Sequence, residues 1–123
     1  MTGNMQMTIK RIDAGDRMSQ CVVHGNTVYT AGQVAQNAPG GSVTEQTTDI
    51  LAAIDRLLAE AGSDKSKLLS ANIWLADIGD FAEMNAVWDA WVSPGNTPAR
   101  ACVESKLASP KFTVEIGVIA ARD

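Results

Sequence analysis

The chain has 123 residues, a formal net charge of -4, 46% hydrophobic and 20% charged residues. One domain, 1–123, accounts for that length, and it can bury about two-thirds of its surface without disulfide or metal staples. The acidic balance argues against nucleic-acid binding, no apolar run approaches the ~20 residues of a membrane span, and an N-terminus without an apolar h-region points to the cytoplasm.

A first strand is expected over residues 7–12, followed by a turn at 13–16. Strands over 19–23 and 27–34 flank His24-Gly25-Asn26, a hairpin signal. Residues 38–41 (Ala-Pro-Gly-Gly) read as a loop. A helix begins at Ser42, because Ser42 and Glu45 have the S-x-x-E spacing of a capping box. Val43, Thr47, Ile50, Leu51, Ile54, Leu57, Leu58 and Ala61 form one apolar stripe at helical spacing, and Gly62 stops it. Residues 68–76 read as a strand in which Leu69, Ala71, Ile73 and Leu75 alternate with Ser70, Asn72, Trp74 and Ala76. A second helix starts near Asp80, with Glu83 three residues on as its capping partner. Phe81, Met84, Trp88 and Trp91 mark its buried side, and it ends before Pro94. Two last strands, 99–107 and 111–121, join around Ala108-Ser109-Pro110.

The order is βββαβαββ, an α+β domain. Two helices of this length cover one face of a sheet. Val22, Val28, Trp74 and the row Phe112, Val114, Ile116, Val118 cannot all face them. The other face is therefore partly apolar, which implies a homo-oligomer.

The sequence has two cysteines, Cys21 and Cys102, and one histidine, His24. No CxxC or HxxxH spacing exists, so no metal site is expected. A Cys21–Cys102 disulfide is disfavoured in a reducing compartment, and an inert thiol is the commoner case than a Cys–His nucleophile pair. His24 reads as a turn residue. Most charges, such as Asp49, Asp55, Arg56, Glu60, Lys65 and Lys67, read as solvated surface.

Arg100 and Glu115 stand apart, because each lies within a strand that is otherwise apolar or small. Buried ionised groups need a partner or a task. One reading is a structural ion pair in the final hairpin. The other is a site that binds a small anion through Arg100 and moves protons through Glu115. An even-length loop around Ser109-Pro110 would place Arg100, Cys102 and Glu115 on one face; a slip of one residue would separate them.

The segment Gly95-Asn96-Thr97-Pro98-Ala99-Arg100-Ala101-Cys102-Val103-Glu104, then Leu107, Val114-Glu115-Ile116 and Ala120-Ala121, resembles the signature of the YjgF/RidA family, the reactive enamine/imine deaminases. Ser19-Gln20, Tyr29-Thr30-Ala31-Gly32-Gln33, the helix over 46–62 and Asn85 fall in the family's order. The resemblance implies a fold similar to chorismate mutase, a β-sheet with two helices on one face. It implies a homotrimer with sites in the clefts between subunits. It also implies hydrolysis of 2-iminobutanoate or 2-iminopropanoate to 2-oxo acids and ammonia, with neither metal nor organic cofactor. Arg100 would grip the substrate carboxylate with its fork. Glu115 would position water and exchange protons. Backbone groups at Gly32 and Cys102 would orient the substrate, with Ser19 and Asn85 contributing to its binding. Three departures bear on substrate choice: Met18 stands where many members carry Tyr, Val34-Ala35 where many have Ile-Pro, and the segment 36–41 is atypical. The competing reading is a trimeric binder of small carboxylates that does not turn them over.

Overall fold

The computed structural model describes residues 8–123. Six strands and two helices follow the expected order: β1 (Ile9–Ala14), β2 (Ser19–His24), β3 (Thr27–Thr30), α1 (Val43–Glu60), β4 (Leu68–Leu75), α2 (Phe81–Trp91), β5 (Ala99–Glu104) and β6 (Val114–Ala121). The expected start of β1 at Met7 lies outside the described residues. At its other end β1 continues past Ile12 to Ala14, taking in Asp13 at φ 51. The turn is correspondingly shorter, closed by the Gly15 N–H on the Met18 carbonyl at 2.8 Å. β3 stops at Thr30 rather than running to Val34, and beyond it only Gln33 forms a further bridge, to Ile116.

The sheet order is β1-β2-β3-β6-β4-β5. β4 and β5 are parallel because the chain crosses over through α2 between them; the other neighbouring pairs are antiparallel. The final hairpin expected from the sequence does not exist. β6 pairs with β3 and β4, and β4 separates it from β5.

The capping box of α1 is present: the Glu45 N–H donates to Ser42 Oγ at 3.1 Å and the Ser42 N–H to Glu45 Oε1 at 2.9 Å. The helix ends where expected, with Gly62 at φ 81, a conformation that costs other residues more. α2 begins differently from expectation. Asp80 makes no capping bond through its side chain. Glu83 instead accepts from the N–H and hydroxyl of Thr44, at 2.9 and 3.0 Å, and so satisfies an orphan donor in the first turn of α1. Met84 and Trp88 are buried, but Phe81 is 40% exposed and belongs to the surface.

Both helices lie on one face. The core packs Ile50, Leu51, Ile54, Leu57 and Leu58 of α1 with Val23, Val28, Ala71, Ile73 and Leu75 of the sheet and with Val114, Ile116, Val118 and Ala120 of β6. The row Val114, Ile116, Val118 thus faces the helices, as does Val28, while Val22 and Trp74 take the other side. Leu69 also departs from the expected pattern. A register shift between Leu68 and Ser70 breaks the alternation, and Leu69 is exposed rather than buried. On the opposite face, strand alternation sets Ile9, Val22, Tyr29, Trp74, Val103 and Ile119. Among the described residues nothing covers them, and Ile9, Tyr29 and Val103 are among the most exposed large apolar side chains.

Candidate functional site

Arg100 lies on β5, an edge strand of the sheet. Its partner in β4 is Ala71, a core residue, so Arg100 projects on the helix side, where it is exposed beyond the end of the core. Its Nη1 donates to Asn85 Oδ1 of α2 at 2.7 Å. Its guanidinium carbon lies 5.4 Å from the Trp88 ring centre and 5.8 Å from that of Phe81, within cation–π range. Neutral groups therefore hold this cation in place, and its charge is left for an anion. Cys102, two residues on, shares this side and is half-buried and free. Burial pushes its thiol pKa up, while the nearby Arg100 charge pulls the other way more weakly. At neutral pH the group is a thiol, a poor nucleophile.

Glu115 lies on β6 opposite Trp74, on the face away from the helices. It is half-buried. Its carboxylate rests directly over Gly32: a Cβ at that glycine would collide with Oε2. The glycine is needed for this close approach. Around it the chain is tightly bonded. Gln33 exchanges backbone hydrogen bonds with Ile116 at 2.8 and 3.1 Å, and the Ala31 N–H reaches the Gln20 carbonyl at 2.8 Å. The Gln33 side-chain amide donates to Gln20 Oε1 at 2.9 Å and to the Ala31 carbonyl at 3.1 Å. A cleft of about 680 Å³ opens here, with Met18, Gln20, Gly32, Gln33, Ala108 and Glu115 in its lining. Ser19 is not part of that lining, whereas its neighbours Met18 and Gln20 are. Arg56 and Asp49 also reach the cleft, but Arg56 is paired with Asp13 and Glu60, and Asp49 accepts from Asn37.

The sequence-predicted residues thus fall into two groups. Arg100, Asn85 and Cys102 come together beside α2; Glu115 and Gly32 come together where β3 ends. The groups sit on opposite faces, so the ion pair of a final hairpin is not formed. Sequence patterning does not mark Gln20, Gln33, Phe81 or Trp88 as site residues. A buried glutamine next to a glycine carries no periodic signal, and the helical spacing of Phe81 and Trp88 is that of core positions.

Residues 8–122 match the family model described as Endoribonuclease L-PSP. A RutC family protein of Haemophilus influenzae is 47% identical over 114 residues, spanning 93% of this chain and 98% of that one. The RutC family protein YoaB of Escherichia coli K12 is 50% identical over 115 residues, 94% and 99% of the two chains. A crystal structure of a YjgF family member from Neisseria meningitidis superposes with a TM-score of 0.92 at 48% identity, covering 96% of this chain and 98% of that one. The chain belongs to the YjgF/RidA family, whose members also carry the names RutC and L-PSP. Among the described residues no helix is long and apolar enough to cross a membrane.

Proposed function

We propose that this protein hydrolyses 2-imino acids of the 2-iminobutanoate and 2-iminopropanoate type to 2-oxo acids and ammonia, in clefts between the subunits of a homotrimer. One observation carries the reading. Each face bears half of a site: a neutral-held arginine on one, and on the other a carboxylate seated on a glycine, without an ion pair among the described residues. Because the halves point apart in one chain, a second copy brings its Glu115 half to the first copy's Arg100 half. The apolar face around Val22, Tyr29, Trp74 and Ile119 is the surface that packs in such an assembly, and membership of the family supports it.

The chemistry follows from the residue types. The guanidinium fork of Arg100 binds the substrate carboxylate, a geometry that an ammonium group cannot reproduce. The carbon of the C=N bond is then held for attack. Glu115 takes a proton from water as the oxygen bonds to that carbon, and returns it to nitrogen. Glu115 then takes the hydroxyl proton of the resulting tetrahedral carbinolamine and passes it to the amino nitrogen; the carbon–nitrogen bond breaks as the C=O forms, and ammonia leaves. Water supplies the oxygen and both hydrogens, so the balance closes without redox chemistry. Cys102, held as a thiol, contributes its peptide groups on the edge strand rather than its sulfur.

The test is a coupled assay. An amino-acid oxidase generates 2-imino acids in the presence of semicarbazide, and the protein competes for them. Accelerated ammonia and 2-oxo-acid release, with less semicarbazone, supports hydrolysis. Binding of 2-oxo acids without acceleration would reassign the protein as a carboxylate binder.

A further inference from the structure

Among the described residues, four polar side chains are almost fully buried: Gln33, Gln46, Thr47 and Ser63. Three have plain structural duties. Gln46 binds the Gly41 and Lys111 carbonyls and the Thr113 N–H. Thr47 donates to the Val43 carbonyl and Ser63 to that of Ala121. Gln33 holds neither a helix end nor a long loop. It stands next to Gly32 and bonds to the residue on that glycine's other side.

The direction of this amide chain is fixed. The Ala31 carbonyl can only accept, so Gln33 must turn its NH2 toward it. The same NH2 faces Gln20, which must then present its oxygen. Reversing Gln33 would set oxygen against oxygen at Ala31; reversing Gln20 would set NH2 against NH2. The backbone of Gln33 is meanwhile bonded in both directions to Ile116, the residue after Glu115. The Gln33 side chain thus ties the two neighbours of Gly32 to each other and to Gln20 of β2, while the Gln33 backbone ties this corner to the stretch of β6 that carries Glu115. At 7% exposure Gln33 is largely shielded from water, so loss of these bonds leaves polar groups poorly satisfied.

We propose that Gln33 is a positioning residue for Glu115: its one-way amide clamp on Ala31 and Gln20 fixes Gly32 beneath the Glu115 carboxylate. The kinetic consequence rests on the proposed hydrolysis; the clamp itself does not. Gln33→Leu lowers kcat for imine hydrolysis at least tenfold while KM stays within twofold. Gln20→Leu, which removes one leg of the clamp, lowers kcat by at least threefold. The double variant is no slower than Gln33→Leu alone, since both changes break the same device. A wild-type kcat in Gln33→Leu, or losses that multiply in the double variant, would overturn the assignment. Should Gln33→Leu fail to fold, Gln20→Leu at its half-buried position decides, and an unchanged kcat there overturns the proposal. A second measurement needs no activity. Hydrogen exchange of the Gln33 side-chain NH2, followed by NMR, is at least tenfold faster in Gln20→Leu than in wild type. Equal exchange rates overturn the clamp. A wild-type protein that hydrolyses no imine sinks the hydrolysis reading, and the exchange comparison still decides the clamp.

Discussion

Arg100 and Glu115 are separated by a single strand and point to opposite faces of the sheet. Arg100 is the neighbour of Ala71 in β4, on the helix side, and Glu115 is the neighbour of Trp74, on the open side. The two positions are three residues apart along β4, about 10 Å at the rise of a strand. No rotamer brings these groups together within one chain.

This relationship decides how the two variants behave. Arg100→Ala loses one hydrogen bond to Asn85 and two ring contacts at an exposed edge, so its stability falls by about 1 kcal/mol. A broken buried ion pair would instead cost ~3–5 kcal/mol. Urea unfolding distinguishes the two. Calorimetry should show affinity for 2-oxo acids falling at least about a hundredfold, or about 2.8 kcal/mol, with little recovery in Arg100→Lys. Glu115→Gln should keep that affinity while turnover collapses. A Glu115→Gln protein that hydrolyses imines at the wild-type rate removes the assignment.

Asn85 holds Arg100 without neutralising it. Asn85→Ala should weaken 2-oxo-acid binding severalfold by freeing the guanidinium. Asn85→Asp should weaken it further, although the side chain is the same size, because a carboxylate at that site competes with the ligand for the same cation. An Asn85→Asp protein that binds more tightly than Asn85→Ala would contradict this account of the site.

Gly32→Ala separates folding from function. The added methyl meets the end of the Glu115 side chain rather than backbone, so the carboxylate can swing away. Thermal unfolding should shift by only a few degrees, a change of roughly 1 kcal/mol or less. Imine hydrolysis should fall at least about a hundredfold, which corresponds to about 2.7 kcal/mol in the barrier. A Gly32→Ala enzyme with normal turnover would show that the seating of Glu115 is irrelevant.

Thiol chemistry should be dispensable. Burial raises the pKa of both Cys21 and Cys102, so both remain protonated near neutral pH. Alkylation by iodoacetamide at about pH 7, already below the ordinary thiol pKa of ~8.5, should be slow in the native protein. Cys102→Ala should retain most of its activity. A loss beyond about a hundredfold with the fold intact would restore the nucleophile reading.

The open face should bury itself in a trimer. Light scattering after size exclusion should report three times the 13.0 kDa chain mass. Val103→Lys, at an exposed apolar position on that face, should shift the protein toward monomer while leaving circular dichroism unchanged. A monodisperse wild-type monomer at micromolar concentration would remove both the trimer and the shared site.

Short-range physics makes much of this molecule legible in its sequence. The capping box at Ser42 and Glu45, the stripe from Val43 to Leu58 and the stop at Gly62 depend on neighbours within a few residues, and each appears as expected. The same holds for the element order and for the single covered face. Long-range pairing is a different matter. Periodicity says that two segments are strands, not which strands they adjoin, and proximity in sequence suggests a final hairpin where β4 in fact intervenes. In one of the two registers open to that hairpin, Arg100 and Glu115 would share a face; with β4 between them they do not. Leu69 departs from its expected burial for a related reason, since a bulge resets the alternation by one residue and depends on the partner strand. Glu83 binds Thr44 in another helix rather than its own first turn. Residue chemistry within short range is readable from the chain; which groups meet across the sheet depends on β6 being inserted between β3 and β4, a choice made by packing the whole core.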